Sequence, residues 1–119
     1  MKEKVLYYFN RFEEKQEFLM CCQKEMIEAV ELHPQAKYSI LAELLQSYPK
    51  ETHISLERLP NLIIMSGFNS SRRDKFLDLC KKIDLDSKTL KAVVTVYNIN
   101  WTLDKLIKEL LEEQKRFIS

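Results

Sequence analysis

The chain has 119 residues, 45% apolar and 31% charged, and its 19 basic and 18 acidic side chains leave a net charge of +1. That length supports one domain with its own core and requires no disulfide or metal, while the balanced charge argues against a protein built around a polyanion. One glycine and three prolines exclude glycine-rich phosphate loops and tight primed hairpins. The composition therefore predicts an all-α fold, a single-domain bundle of five or six helices over residues 1–119 with a long N-terminal helix.

Residues 3–32 contain no glycine or proline. Val5, Phe9, Phe12, Leu19, Met26 and Val30 recur at helical spacing, which predicts one helix about 45 Å long at 1.5 Å per residue. His33-Pro34 ends it, because the residue before proline is pushed out of the helical region. Pro34 opens a second helix with Leu41, Leu44 and Leu45 on its apolar face, and residues 49–54 read as a loop. Leu62-Ile-Ile-Met65 is the one stretch with strand character; with no second strand to pair with, it is assigned to a buried helix ending at Gly67. Asn69-Ser70-Ser71 starts another helix, with Ser71 and Asp74 spaced as a capping box and Phe76, Leu79, Cys80 and Ile83 facing inward. Asp84 or Asp86 caps a helix carrying Leu90 and Val93, and a last helix runs from about Thr102 to Phe117. Leu79, Ile83, Leu90, Val93, Leu106 and Leu110 form the expected core. No internal repeat is legible.

No stretch approaches the roughly 18 apolar residues of a membrane span. The N-terminal Met-Lys-Glu-Lys leads into mixed aromatic and charged residues, unlike a signal peptide. Of the three cysteines, Cys21 and Cys22 are sequence neighbours, which point about 100° apart on a helix and make no ordinary disulfide. Free thiols predict a cytoplasmic setting.

The candidate chemistry is sparse. Cys21, Cys22, Cys80, His33 and His53 show no CxxC, CxxH or HxxxH spacing, so no metal site and no cofactor is expected. No nucleophile elbow, HExxH or P-loop occurs, and the glutamates of the first helix read as a solvated face, so no enzyme is expected. Residues 76–95 fit a helix-turn-helix frame, with Leu79, Ile83, Leu85, Leu90 and Val93 at its apolar positions. In that alternative Arg72 and Arg73 contact phosphate, while Lys88 and Lys91 project from the recognition helix. The leading expectation is a small non-enzymatic interaction or regulatory module. Four aromatics, Tyr7, Tyr8, Phe9 and Phe12, fall within six residues at an end of the first helix too long for the domain. Tyr7, Tyr8 and Phe12 are thus the candidate contacts for a protein partner or for self-association.

Overall fold

A computed structural model describes residues 2–46, 58–82 and 88–118. In chain order it runs β1 (Lys4–Tyr8), α1 (Phe12–Lys24), β2 (Glu28–Glu31), a short 3-10 helix (Pro34–Tyr38), α2 (Leu41–Gln46), β3 (Leu62–Ser66), α3 (Ser70–Lys82), β4 (Leu90–Val93) and α4 (Leu103–Ile118). The expected loop over 49–54, with Ile83, Asp84, Leu85 and Asp86, lies outside the described residues.

The all-α bundle is thereby overturned: the strands form one mixed sheet in the order β2-β1-β3-β4. The expected long N-terminal helix is instead β1, α1 and β2, and the buried helix over Leu62–Met65 is the central strand β3. The reason is burial on both faces. Val5, Leu6 and Tyr7 in β1 and all five residues of β3 are buried. A strand covered on both sides has no polar-apolar alternation, and its apolar run cannot be told from a buried helix by periodicity. β1 and β3 supply each other's missing partner, pairing antiparallel from Lys4↔Ser66 to Tyr8↔Leu62.

Helices cover the two faces. Phe18, Cys21 and Cys22 of α1 and Phe76 and Cys80 of α3 pack with Val5, Tyr7, Ile63 and Met65 on one side. Leu41 and Leu44 of α2 and Leu103, Leu106 and Ile107 of α4 pack with Leu6, Leu62 and Ile64 on the other. Of the expected core, Leu90 and Leu106 are buried, while Leu79, Val93 and Leu110 are half-buried. α4 begins close to where its periodicity predicts, and Thr102 Oγ1 caps it by accepting from Lys105 N at 3.1 Å. At α3 the cap is Asn69 rather than Ser71, with Asn69 Oδ1 accepting from Arg72 N at 2.8 Å.

The chain also contains the repeat that no run of residues betrays: two βαβα units related by a pseudo-twofold axis. In each, a helix crosses between two parallel strands, β1 to β2 and β3 to β4. α1 and α3 are both 13 residues long and start 58 residues apart, at Phe12 and Ser70. The same offset relates the buried pairs Phe18 and Phe76, and Cys22 and Cys80. Leu32 N donates to Tyr7 O at 2.7 Å, and its counterpart Val94 N donates to Met65 O at 2.8 Å. Beyond a longer α3–β4 connection, Leu41 and Leu103 begin α2 and α4. On the axis Ile40 bridges Thr102 antiparallel. The flanking bonds are reciprocal: Leu41 N to Trp101 O and Leu103 N to Ser39 O, each 3.0 Å. The halves pack as an isologous dimer would, within one chain.

Among the described residues one non-glycine backbone position is strained. Met26 follows α1 with φ 57°, in the left-handed region where glycine is usual. Ile27 N donates to Cys22 O at 2.9 Å and Met26 N to Gln23 O at 3.2 Å, a Schellman closure. Met26 is 91% exposed, so its side chain contributes little packing in return. Met26→Gly is expected to stabilise the protein by about 0.5–1 kcal/mol, because relief of left-handed strain exceeds the entropy that glycine adds to the unfolded chain. A lower urea midpoint for the variant would contradict this.

Candidate functional site

A cleft of about 650 Å³ opens where β3 and β4 end and β1 and β2 begin. Ser66 and Gly67 form its floor, Ala42 and Leu45 of α2 one wall, and Val94, Val96 and Ile99 the other. Parallel strands whose ends abut helices and turns leave such crevices at their carboxyl ends, and the volume lies within the usual range of binding sites. The lining is mainly apolar, with Lys2, Lys4 and Glu28 at the rim. Lys4 Nζ donates to Leu45 O at 2.5 Å and lies 3.9 Å from Glu28 Oε1. Lys2 Nζ lies 4.0 Å from Glu28 Oε2.

The turn beside the cleft is held from within. Thr95 N donates to Asn98 Oδ1 at 2.8 Å, and Thr95 Oγ1 accepts from Tyr97 N at 3.2 Å and Asn98 N at 3.3 Å. Asn98 Nδ2 reaches back to Val93 O at 3.1 Å. This network ties Thr95 and Asn98 to the end of β4 and leaves Val96 and Tyr97, between them, each 85% exposed.

Gly67 makes the floor. Its φ is +81°, and a Cβ there would sit 2.5 Å from the Lys2 carbonyl oxygen. The lone glycine therefore serves as the turn from β3 toward α3, pressed against the chain entering β1, and not as a helix terminus.

The residues expected to meet a partner do not form a patch. Tyr7 is buried, its ring centroid 5.2 Å from that of Phe18. Burial, and then the nearby Glu31, push its phenol up to about 12. Tyr8 points to the opposite face and packs against the α2/α4 core. Phe12 stands outside at the start of α1, 68% exposed. The overhanging helix that would have presented them together does not exist, because β1 takes Tyr7 and Tyr8 into the sheet.

The helix-turn-helix frame fails in its second half. Residues 90–93 are β4, paired parallel with β3, so no recognition helix carries Lys88 and Lys91. Arg72 is engaged in a bidentate pair, its Nε and Nη2 each 2.8 Å from a Glu3 carboxylate oxygen. That bond is the main cause holding the Glu3 carboxyl below its ordinary range. It ties the start of α3 to the start of β1. Arg73 lies 3.4 Å from Asp74 Oδ1.

The three thiols are buried and free. Desolvation, reinforced by the neighbouring cysteines, pushes Cys22 up to about 12. Desolvation likewise raises Cys80 to about 12, and Cys21 is raised as well. Thiols held protonated in this way are packing groups rather than nucleophiles. Among the described residues no group of three or more His, Cys, Asp or Glu is placed to hold a metal. No helix among them is long and apolar enough to cross a membrane.

The cleft residues are what sequence reasoning missed. Their one signal was the lone glycine directly after an apolar run and before an Asn-Ser-Ser cap. That pattern marks a strand-to-helix turn once Leu62–Ser66 is recognised as a strand.

Fold and cleft together define a doubly covered α/β protein, a duplicated βαβα unit with an apolar crevice at one end of its sheet. Residues 61–117 match the sequence profile of a family described as a domain of unknown function (DUF3783). The match spans β3 through α4, which is the second of the two units. No curated protein and no solved structure matches the chain.

Proposed function

We propose that this chain is a non-catalytic interaction module that holds a protein partner at the cleft beyond β3 and β4. The observation that carries the reading is the pair Val96 and Tyr97, both 85% exposed beside an apolar crevice, on a turn tied down by Thr95 and Asn98. A turn whose backbone is already ordered loses little further backbone entropy on binding, so more of the contact energy becomes affinity. Aromatic side chains are enriched at such contacts. Free buried thiols fit a reducing compartment, and we infer a cytoplasmic setting. The nucleic-acid alternative lacks its recognition helix and has Arg72 engaged by Glu3, so it is not the reading proposed.

The test is a comparison of surfaces. Val96→Asp with Tyr97→Asp is expected to abolish self-association in sedimentation velocity, or partner capture from the native cell. Phe12→Ser is expected to leave both intact, and the far-UV circular dichroism of each variant should match the parent. Undiminished association in the Val96/Tyr97 variant, with loss in the Phe12 variant, would overturn the reading and move the contact to α1.

A further inference from the structure

The pseudo-twofold axis relates the cleft to the opposite end of the sheet, where the ring of Tyr8 packs against the same core cluster. Ser66 corresponds to Tyr8 and Gly67 to Phe9, as the last strand residue and the one after it in each unit. The walls correspond too. Val94 follows β4 as Leu32 follows β2, and their amides make the same bond to Met65 O and Tyr7 O. Leu45 of α2 corresponds to Ile107 of α4, each the fifth residue of its helix. Tyr8, Val94 and Leu45 all pack against one core cluster. At one end of that cluster a phenol ring lies against it, with its hydroxyl reaching the rim at Asn10 Oδ1, 3.4 Å away. At the other end the ring is replaced by the hydroxymethyl group of Ser66, and the cleft opens.

We propose that the cleft is a seat for an aromatic side chain of the partner, with Tyr8 as the internal counterpart of that ligand. The inference rests on the reading of the cleft as the contact surface. The rim specifies the neighbouring residue by charge. Two ammonium groups, Lys2 and Lys4, share the single carboxylate of Glu28, which leaves the rim net positive among the described residues. An aspartate or glutamate next to the inserted ring complements that charge. A volume of about 650 Å³ exceeds one ring and leaves room for the backbone on either side of it.

The experiment uses the full chain and two short peptides, N-acetyl-Asp-Tyr-amide and N-acetyl-Asp-Leu-amide, followed by amide chemical shifts. The tyrosine peptide is expected to shift Ser66, Val94 and Val96 saturably and to bind at least about tenfold more tightly than the leucine peptide. Ser66→Tyr fills the seat from within and should weaken the tyrosine peptide by more than about tenfold. Ala42→Phe fills it from α2 and should do the same, which covers the case that the first variant disturbs β3. Equal binding of the two peptides, or undiminished binding in both filled variants, would overturn the proposal. If neither peptide binds while the Val96/Tyr97 variant still loses partner capture, the aromatic seat is refuted and the interaction surface stands. If capture is also unaffected, both fall.

Discussion

Truncating Phe18 to alanine is expected to remove about 3–5 kcal/mol of stability, the usual cost of emptying a packed phenylalanine site. Phe18 is fully buried and joins three other rings, with centroid distances of 5.1 Å to Phe9, 5.2 Å to Tyr7 and 5.9 Å to Phe76. The Phe76 contact is edge-to-face and joins equivalent positions of the two units, so α1 and α3 share one aromatic centre. A protein of this size has roughly 5–15 kcal/mol in total, so the loss is a large share of it. Phe18→Ala and Phe76→Ala remove parts of one contact, and the double variant should lose less than the sum of the singles. Urea denaturation of the four proteins measures this. A Phe18→Ala loss under about 1 kcal/mol would mean that α1 does not dock on the sheet as described.

Gly67→Ala is expected to cost about 2–3 kcal/mol, a large effect for one added methyl group. Left-handed φ alone costs a non-glycine residue about 1–2 kcal/mol. The new Cβ would also lie 2.5 Å from the Lys2 carbonyl oxygen and 3.1 Å from its carbon. Both atoms belong to the backbone and cannot swing aside as a side-chain tip does. The chain entering β1 must therefore shift, and Lys2 at the cleft rim moves with it. Thermal or urea unfolding, together with amide shifts from Lys2 to Lys4, checks the expectation. A variant as stable as the parent would show that the two segments do not meet at this turn.

Some of the molecule was legible residue by residue. The inward residues Phe76 and Cys80 of α3, and α4 with its buried Leu106, follow from local rules, and His33-Pro34 does break the chain, although it follows the strand β2 rather than a helix. Proline geometry, capping and period-3.6 burial act within one or two turns of chain. Exposed helices packed on one side announce themselves in this way.

The sheet was decided elsewhere. Val5–Tyr7 and Leu62–Met65 are apolar throughout, and such a run becomes strand or helix according to whether a partner strand lies beside it. That partner is 58 residues away, between the equivalent positions of β1 and β3, so no window of the sequence contains the deciding contact. The repeat was hidden for a related reason, since the two units share their pattern of burial more than their residues, and the longer α3–β4 connection changes the spacing. The cleft depended on both. Gly67 marks a turn by itself, but Ser66 gains meaning only when the axis makes it the equivalent of Tyr8. Short-range geometry was enough for the break at Pro34 and for the amphipathic faces of α3 and α4. Tertiary pairing across the pseudo-twofold axis decided which apolar runs became strands, and which end of the sheet was left open.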